Sequence, residues 1–199
     1  MFRVANFMIR SGLSLLLFSS LVSVPLTAHA ELPTAPAPAM PTADVLLQAS
    51  LVDLADKPVS LRRLTGKVVV VVHQDRHSSE QNPALKEQLS ALLLRHPQQL
   101  QIVALADVGG YDFWPAKGFV KDALKSLDSG GGALVVCDWK GAVRKAYKLK
   151  QKHSTVFVLS KTLTLVRMTQ GQLSTAESDQ VVQAIAAELA KAEPGKAGD

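Results

Sequence analysis

Gly66-Lys67-Val68-Val69-Val70-Val71-Val72-His73 sets five valines in succession between a glycine–lysine turn and a polar stretch. Five β-branched side chains without polar alternation suit a strand covered on both faces, as in the middle of an α/β sheet. Upstream, Leu51-Val52-Asp53-Leu54, the turn Ala55-Asp56-Lys57-Pro58 and Val59-Ser60-Leu61 predict a β-hairpin. Downstream, Pro83 opens a helix with Leu85, Leu89, Leu92 and Leu93 on one face, ending near His96-Pro97. Leu100 to Leu105 is a second buried strand. Gly109-Gly110 begins a segment holding Tyr111, Phe113 and Trp114, followed by a helix with Phe119, Val120, Ala123, Leu124 and Leu127 and closed by Gly130-Gly131-Gly132. Ala133 to Cys137 reads as a strand, Gly141 to Tyr147 as a short helix, and Ser154–Leu159 with Thr162–Met168 as a strand pair. Ser174 and Glu177 have capping-box spacing ahead of an apolar stripe of Val181, Val182, Ile185, Ala186 and Leu189.

The ends of the chain read differently. Arg3 and Arg10, an apolar run from Leu13 to Leu26 and Ala28-His29-Ala30 give the order of a secretory signal, with cleavage expected after Ala30. Residues 31–42, with Pro33, Pro36, Pro38 and Pro41, predict an extended, flexible leader, and 192–199 a flexible tail. That leaves 43–191 as one domain. No cysteine follows the apolar run to take a lipid anchor, so a periplasmic protein of a Gram-negative bacterium, with no transmembrane anchor after cleavage, is expected.

The 199 residues are 47% hydrophobic and 20% charged, a globular composition. Loss of the two signal arginines would lower the net charge from +5 to +3, too mild to point to nucleic acid. The single cysteine excludes an intramolecular disulfide, a CxxC pair and a multi-cysteine zinc site.

The element order predicts a mixed sheet with helices on both faces and an N-terminal β-hairpin extension, which is the thioredoxin-like plan. Asp53 to Leu61, then Leu64-Thr65-Gly66-Lys67 and the valines, resemble the lead-in of the peroxiredoxin, Sco-type and TlpA-type branch of the thioredoxin superfamily. Gly66-Lys67-Val68, Val70, His73, Arg76, Ser78, Ser79 and Asn82 resemble the YtfJ-type family of small exported proteins. Val156 to Leu159, Gly171-Gln172-Leu173-Ser174 and the final helix do so as well. The resemblance implies a thioredoxin fold in the periplasm and says little of activity. In the superfamily, chemistry sits between the first core strand and its helix, where the helix N-terminus lowers a thiol's pKa. Here that stretch, 73–83, has no cysteine, and a helix dipole worth on the order of 1 kcal/mol does not turn a serine into an equivalent nucleophile. Ser154 stands where the superfamily usually places a cis-proline.

Several residues invite a function beside a plainer role. Arg76, His77, Ser78, Ser79 and Asn82 precede a helix and could hold a small anionic ligand, although Ser and Asn also cap helices unaided. His73, His77 and His153 come to one edge in this fold and could bind copper or zinc, although lone histidines are usually capping or surface groups. His77 beside Ser78 or Ser79 resembles half of a nucleophile–base pair, the basis for a non-thiol enzyme, but no acidic orienter is evident. Cys137 ends an apolar run and reads as a small core residue. Arg144, Lys145, Lys148, Lys150 and Lys152 form a solvated basic face, or contact anionic lipid or an acidic partner. Tyr111, Phe113 and Trp114 pack over a core edge or dock a partner. Taken together, these features lead to the expectation of a redox-inactive binding or accessory module whose partner is a periplasmic protein or a small anion, without a cofactor unless the histidines hold metal.

Overall fold

Val68 to Val71 are completely buried, and the strand they form is covered on both faces. In the computed structural model, which describes residues 42–128 and 132–191, this strand is β3 (Val68–Gln74). Before it lie α1 (Asp44–Gln48), β1 (Leu51–Val52), β2 (Pro58–Val59) and a 3-10 turn at Leu61–Leu64. After it come α2 (Pro83–Arg95), β4 (Leu100–Asp107), α3 (Ala116–Asp128), β5 (Leu134–Asp138), α4 (Ala142–Ala146), β6 (Thr155–Leu159), β7 (Leu165–Gln170) and α5 (Thr175–Ala190). The expected signal at 1–30, all but the last residue of the leader, the tail at 192–199 and the first two glycines of Gly130-Gly131-Gly132 lie outside the described residues.

The seven strands form one mixed sheet in the order β2-β1-β5-β4-β3-β6-β7. β3, β4 and β5 are parallel, β6 is antiparallel to β3, and β7 is antiparallel to β6. Alternation along β3 divides the core. Val68, Val70 and Val72 pack with Leu85 and Leu89 of α2 and Val181 and Ile185 of α5. Val69 and Val71 face the other way, toward Leu46 of α1, Leu61, Val143 of α4 and Phe157. α3 covers Cys137 and Trp139 through Val120 and Leu124.

At four places the structure departs from the sequence pattern or adds to it. Residues 44–48 form a helix because Leu46 is buried and the Tyr147 hydroxyl, 101 positions away, accepts the Leu46 N–H at 3.3 Å and donates to Thr42 O at 2.7 Å. Leu61 does not extend the hairpin but starts the 3-10 turn, where its side chain enters the core. The hairpin joins the sheet beside β5, through Val52 opposite Cys137, and not beside β3. The second strand of the late pair begins at Leu165 because 160–164 form its turn, in which Ser160 N donates to Thr164 O.

The capping box of α5 is formed as predicted: Glu177 N donates to Ser174 Oγ at 3.3 Å and Ser174 N to Glu177 Oε2 at 2.8 Å. Replacing Ser174 with Ala is expected to cost about 1 kcal/mol. Phe157→Ala, at a fully buried position beside the Tyr147 ring, is expected to cost about 3–5 kcal/mol. Urea unfolding followed by circular dichroism measures both, and a smaller loss for Phe157 than for Ser174 would contradict this account of the core.

Candidate functional site

β3 leaves the core at Gln74, and the chain must turn through 75–82 before Pro83 starts α2. Asp75 organises that turn. Its Oδ1 accepts hydrogen bonds from His77 N at 2.9 Å and from Ser78 N and Ser78 Oγ, each at 2.8 Å, while Oδ2 accepts Lys152 N at 2.8 Å. Partial burial by itself raises the carboxyl's pKa. The hydrogen bonds outweigh it and hold Asp75 below the usual carboxylate range.

The neighbouring amides close the rest of the loop against two other segments. Gln81 accepts Ser154 N at 2.9 Å and donates to Lys152 O at 2.8 Å. Gln74 donates to Ser78 O at 2.9 Å and to Ser154 Oγ at 3.1 Å. Asn82 donates to Gly171 O at 2.9 Å and accepts Leu173 N at 2.8 Å. Asn82 occupies the N-cap position of α2 with a left-handed backbone, φ 57°, and its side chain caps nothing.

Of the residues expected to bind a ligand, Ser78 and Asn82 are therefore buried and committed internally, while Arg76, His77 and Ser79 are exposed. The His77 and Ser78 N–H groups expected to meet an outside anion already hold the Asp75 carboxylate, whose charge opposes a second anion. The Ser78 hydroxyl donates to Asp75 and the Ser79 hydroxyl to Arg76 O at 3.0 Å, so neither serine makes the suggested pairing with His77. Ser154, at the expected cis-proline position, has its N–H taken by Gln81 and its carbonyl by Gly171 N at 2.7 Å.

A second polar group lies beneath α4. His73, Asp107 and Asp138 fall on one face at the C-terminal ends of β3, β4 and β5, with Asp107 directly opposite Asp138. Asp107 Oδ2 accepts Arg144 Nε at 2.7 Å and lies 3.7 Å from His73 Nε2. Asp138 Oδ2 accepts Val143 N at 2.8 Å. Gly109 and Gly141 close over Asp107, where a Cβ on Gly109 would come within 3.2 Å of the Gly141 backbone. Neither His73 ring nitrogen has a hydrogen-bond partner, and burial lowers its pKa despite the pull of Asp107 and Asp138. Sequence reasoning singled out His73, and named Arg144 only as part of a solvated basic face, whereas it pairs with Asp107. The overlooked signal is that all three parallel strands run out at an aspartate: Asp75 one residue past β3, Asp107 at the end of β4 and Asp138 at the end of β5.

The three histidines are differently placed: His73 is buried, whereas His77 and His153 are exposed, the latter bonding Gln151 O through Nδ1 at 2.8 Å. Among the described residues no three His, Cys, Asp or Glu side chains are grouped so as to hold a metal ion. Cys137 is buried under α3, and burial pushes its thiol up to about 11.

The model of the family described as "Bacterial protein of unknown function (YtfJ_HI0045)" matches residues 45–188, which spans both polar groups. The chain belongs to this family. No curated protein matches it. Among solved structures it is similar to peroxiredoxin Q of Xanthomonas campestris, at 17% identity and a TM-score of 0.55, covering 75% of this chain and 97% of that one. It is also similar to the exposed lipoprotein thioredoxin Etrx1 of Streptococcus pneumoniae, at 18% and 0.53, covering 69% and 96%. A secreted Mycobacterium tuberculosis disulfide oxidoreductase matches at 17% and 0.52, covering 73% and 99%. These likenesses show the thioredoxin-like fold, with the YtfJ-family chain carrying a cysteine-free loop after β3. No helix among the described residues is long and apolar enough to cross a membrane.

The two polar groups give opposite ends of one pH profile. The unfolded chain takes up a proton near the ordinary histidine pKa of 6.5, which buried His73 resists, so stability falls as pH drops through that value. Asp75 stabilises above the ordinary carboxyl pKa of 3.8, and its contribution is lost as pH falls through its lower folded value. His73→Gln is expected to flatten the change in urea midpoint between about pH 7.5 and 5.5. Asp75→Ala is expected to cost about 2 kcal/mol near neutrality and to flatten the profile below about pH 4. Wild-type slopes in both variants would refute the assignment.

Proposed function

We propose that this YtfJ-family protein is a periplasmic binding or accessory module whose thioredoxin-like fold no longer carries thiol redox chemistry. The loop after β3 supports this reading most directly. Where an exposed thiolate would be needed, the chain has an aspartate holding the loop's own N–H groups, and glutamines fasten the loop to the start of β6. The one thiol in the chain is buried, and its raised pKa keeps it protonated near neutrality. The signal pattern at residues 1–30 supports export, as do the secreted and exposed proteins among the similar structures.

Insulin reduction with dithiothreitol as electron donor, and hydrogen peroxide consumption, test the reading. Both rates are expected to equal those of buffer with reductant alone. Cys137 should react with a thiol reagent only as fast as the protein unfolds, with the rate rising at least about 100-fold in denaturant. Turnover that disappears in Cys137→Ala would overturn the proposal.

A further inference from the structure

The parallel course of β3, β4 and β5, and the antiparallel return of β6 and β7, bring five loops to one end of the sheet. These are 75–82, 108–115, 139–141, 147–154 and 171–174. Two of them touch directly, since Gly109 lies against the backbone of Gly141. The base of the 108–115 loop therefore meets the start of α4.

Two kinds of side chain are exposed at this end. Trp114 is 90% exposed, Phe119 at the start of α3 73% and Phe113 59%. Arg76, Lys140, Lys145, Lys148, Lys150 and Lys152 are also exposed, and none has a carboxylate within ion-pair distance among the described residues. The chain has no Asp or Glu between Asp138 and Glu177. The five loops expose two carboxylates, Glu80 and Asp112, and Asp112 is 3.2 Å from Lys117. Lys117 and Lys121 are paired with Asp56 and belong to the fold.

We propose that the aromatic loop Tyr111–Trp114 and the cations of the 140–152 segment form one docking surface for an anionic lipid membrane. This deepens the accessory-module reading, on which it rests, by naming the partner. Projecting aromatic rings beside unpaired lysines match the two layers of a membrane interface: the rings enter the headgroup–acyl boundary and the ammonium groups meet anionic headgroups. The cavity between α1 and α4 is lined by Lys140 but by no residue of 111–119, and the one along the β1–β2 hairpin by no residue of either group. Lys148 and Lys152 have left-handed backbones, φ 52° and 61°, which glycine adopts without strain, so both charges can be removed without disturbing the fold.

The test uses the chain from Glu31, since every buried residue among the described ones lies between Ala43 and Glu188. It is mixed with vesicles of phosphatidylglycerol and phosphatidylethanolamine, or of phosphatidylcholine alone, and followed by co-sedimentation and tryptophan emission. Of the two tryptophans, Trp139 is buried, so a blue shift reports Trp114. Binding is expected to the anionic vesicles only, with a blue shift, and to fade at high salt. Lys148→Gly/Lys152→Gly should weaken it roughly 30-fold, and Phe113→Ser/Trp114→Ser should abolish co-sedimentation with the anionic vesicles. Failure to bind anionic vesicles at low salt, or binding indifferent to both double variants, overturns the proposal. Binding to polyglutamate but not to vesicles would also overturn it, in favour of an acidic protein partner, and would leave the accessory-module reading standing. Redox turnover would remove that reading whatever the vesicles show.

Discussion

Complete desolvation of Val68–Val71 in β3 is the constraint from which the rest of the molecule follows. A strand with no water on either face has its backbone groups satisfied only by neighbouring strands, here β4 on one side and β6 on the other. Its valines then require helices above and below, which α2 and α5 supply on one face and α1 and α4 on the other. The first polar residues after such a strand emerge where β4 and β5 also end. His73, Gln74 and Asp75 therefore meet partners drawn from across the chain.

Much of this architecture was legible in the sequence because it rests on periodicity. The valine run, the leucines of α2, the stripe of α5 and its Ser174–Glu177 cap are local signals. What escaped depends on distant contacts. The five-residue α1 is held by Tyr147, and the hairpin finds its place beside β5 through a single opposed pair, Val52 and Cys137. Neither is encoded in the segment that shows it.

The candidate site divides in the same way. Its position after β3 and its missing thiol could be read directly. The residues that govern it, Gln74, Asp75 and Gln81, drew no attention, because an aspartate or glutamine in a polar loop looks ordinary until its partners at 152 and 154 are known. Ser78 and Asn82 looked like helix caps and are instead fastened inward. The Asp107, Asp138 and Arg144 group was hidden for a related reason: the aspartates close two different strands that only the sheet register sets side by side, and Arg144 reaches Asp107 from α4.

The burial of Cys137 has a consequence for how the chain reaches its native state in an oxidising compartment. The thiol lies on β5, whose parallel partner β4 is joined to it through the whole of α3, so its shielding waits on a crossover connection and not on a local turn. Until β5 docks, a dithiol oxidase or a second nascent chain can capture the sulfur; afterwards neither has access. Under the proposed export, sheet completion and oxidation therefore compete, and the chain has no second cysteine with which to undo a capture.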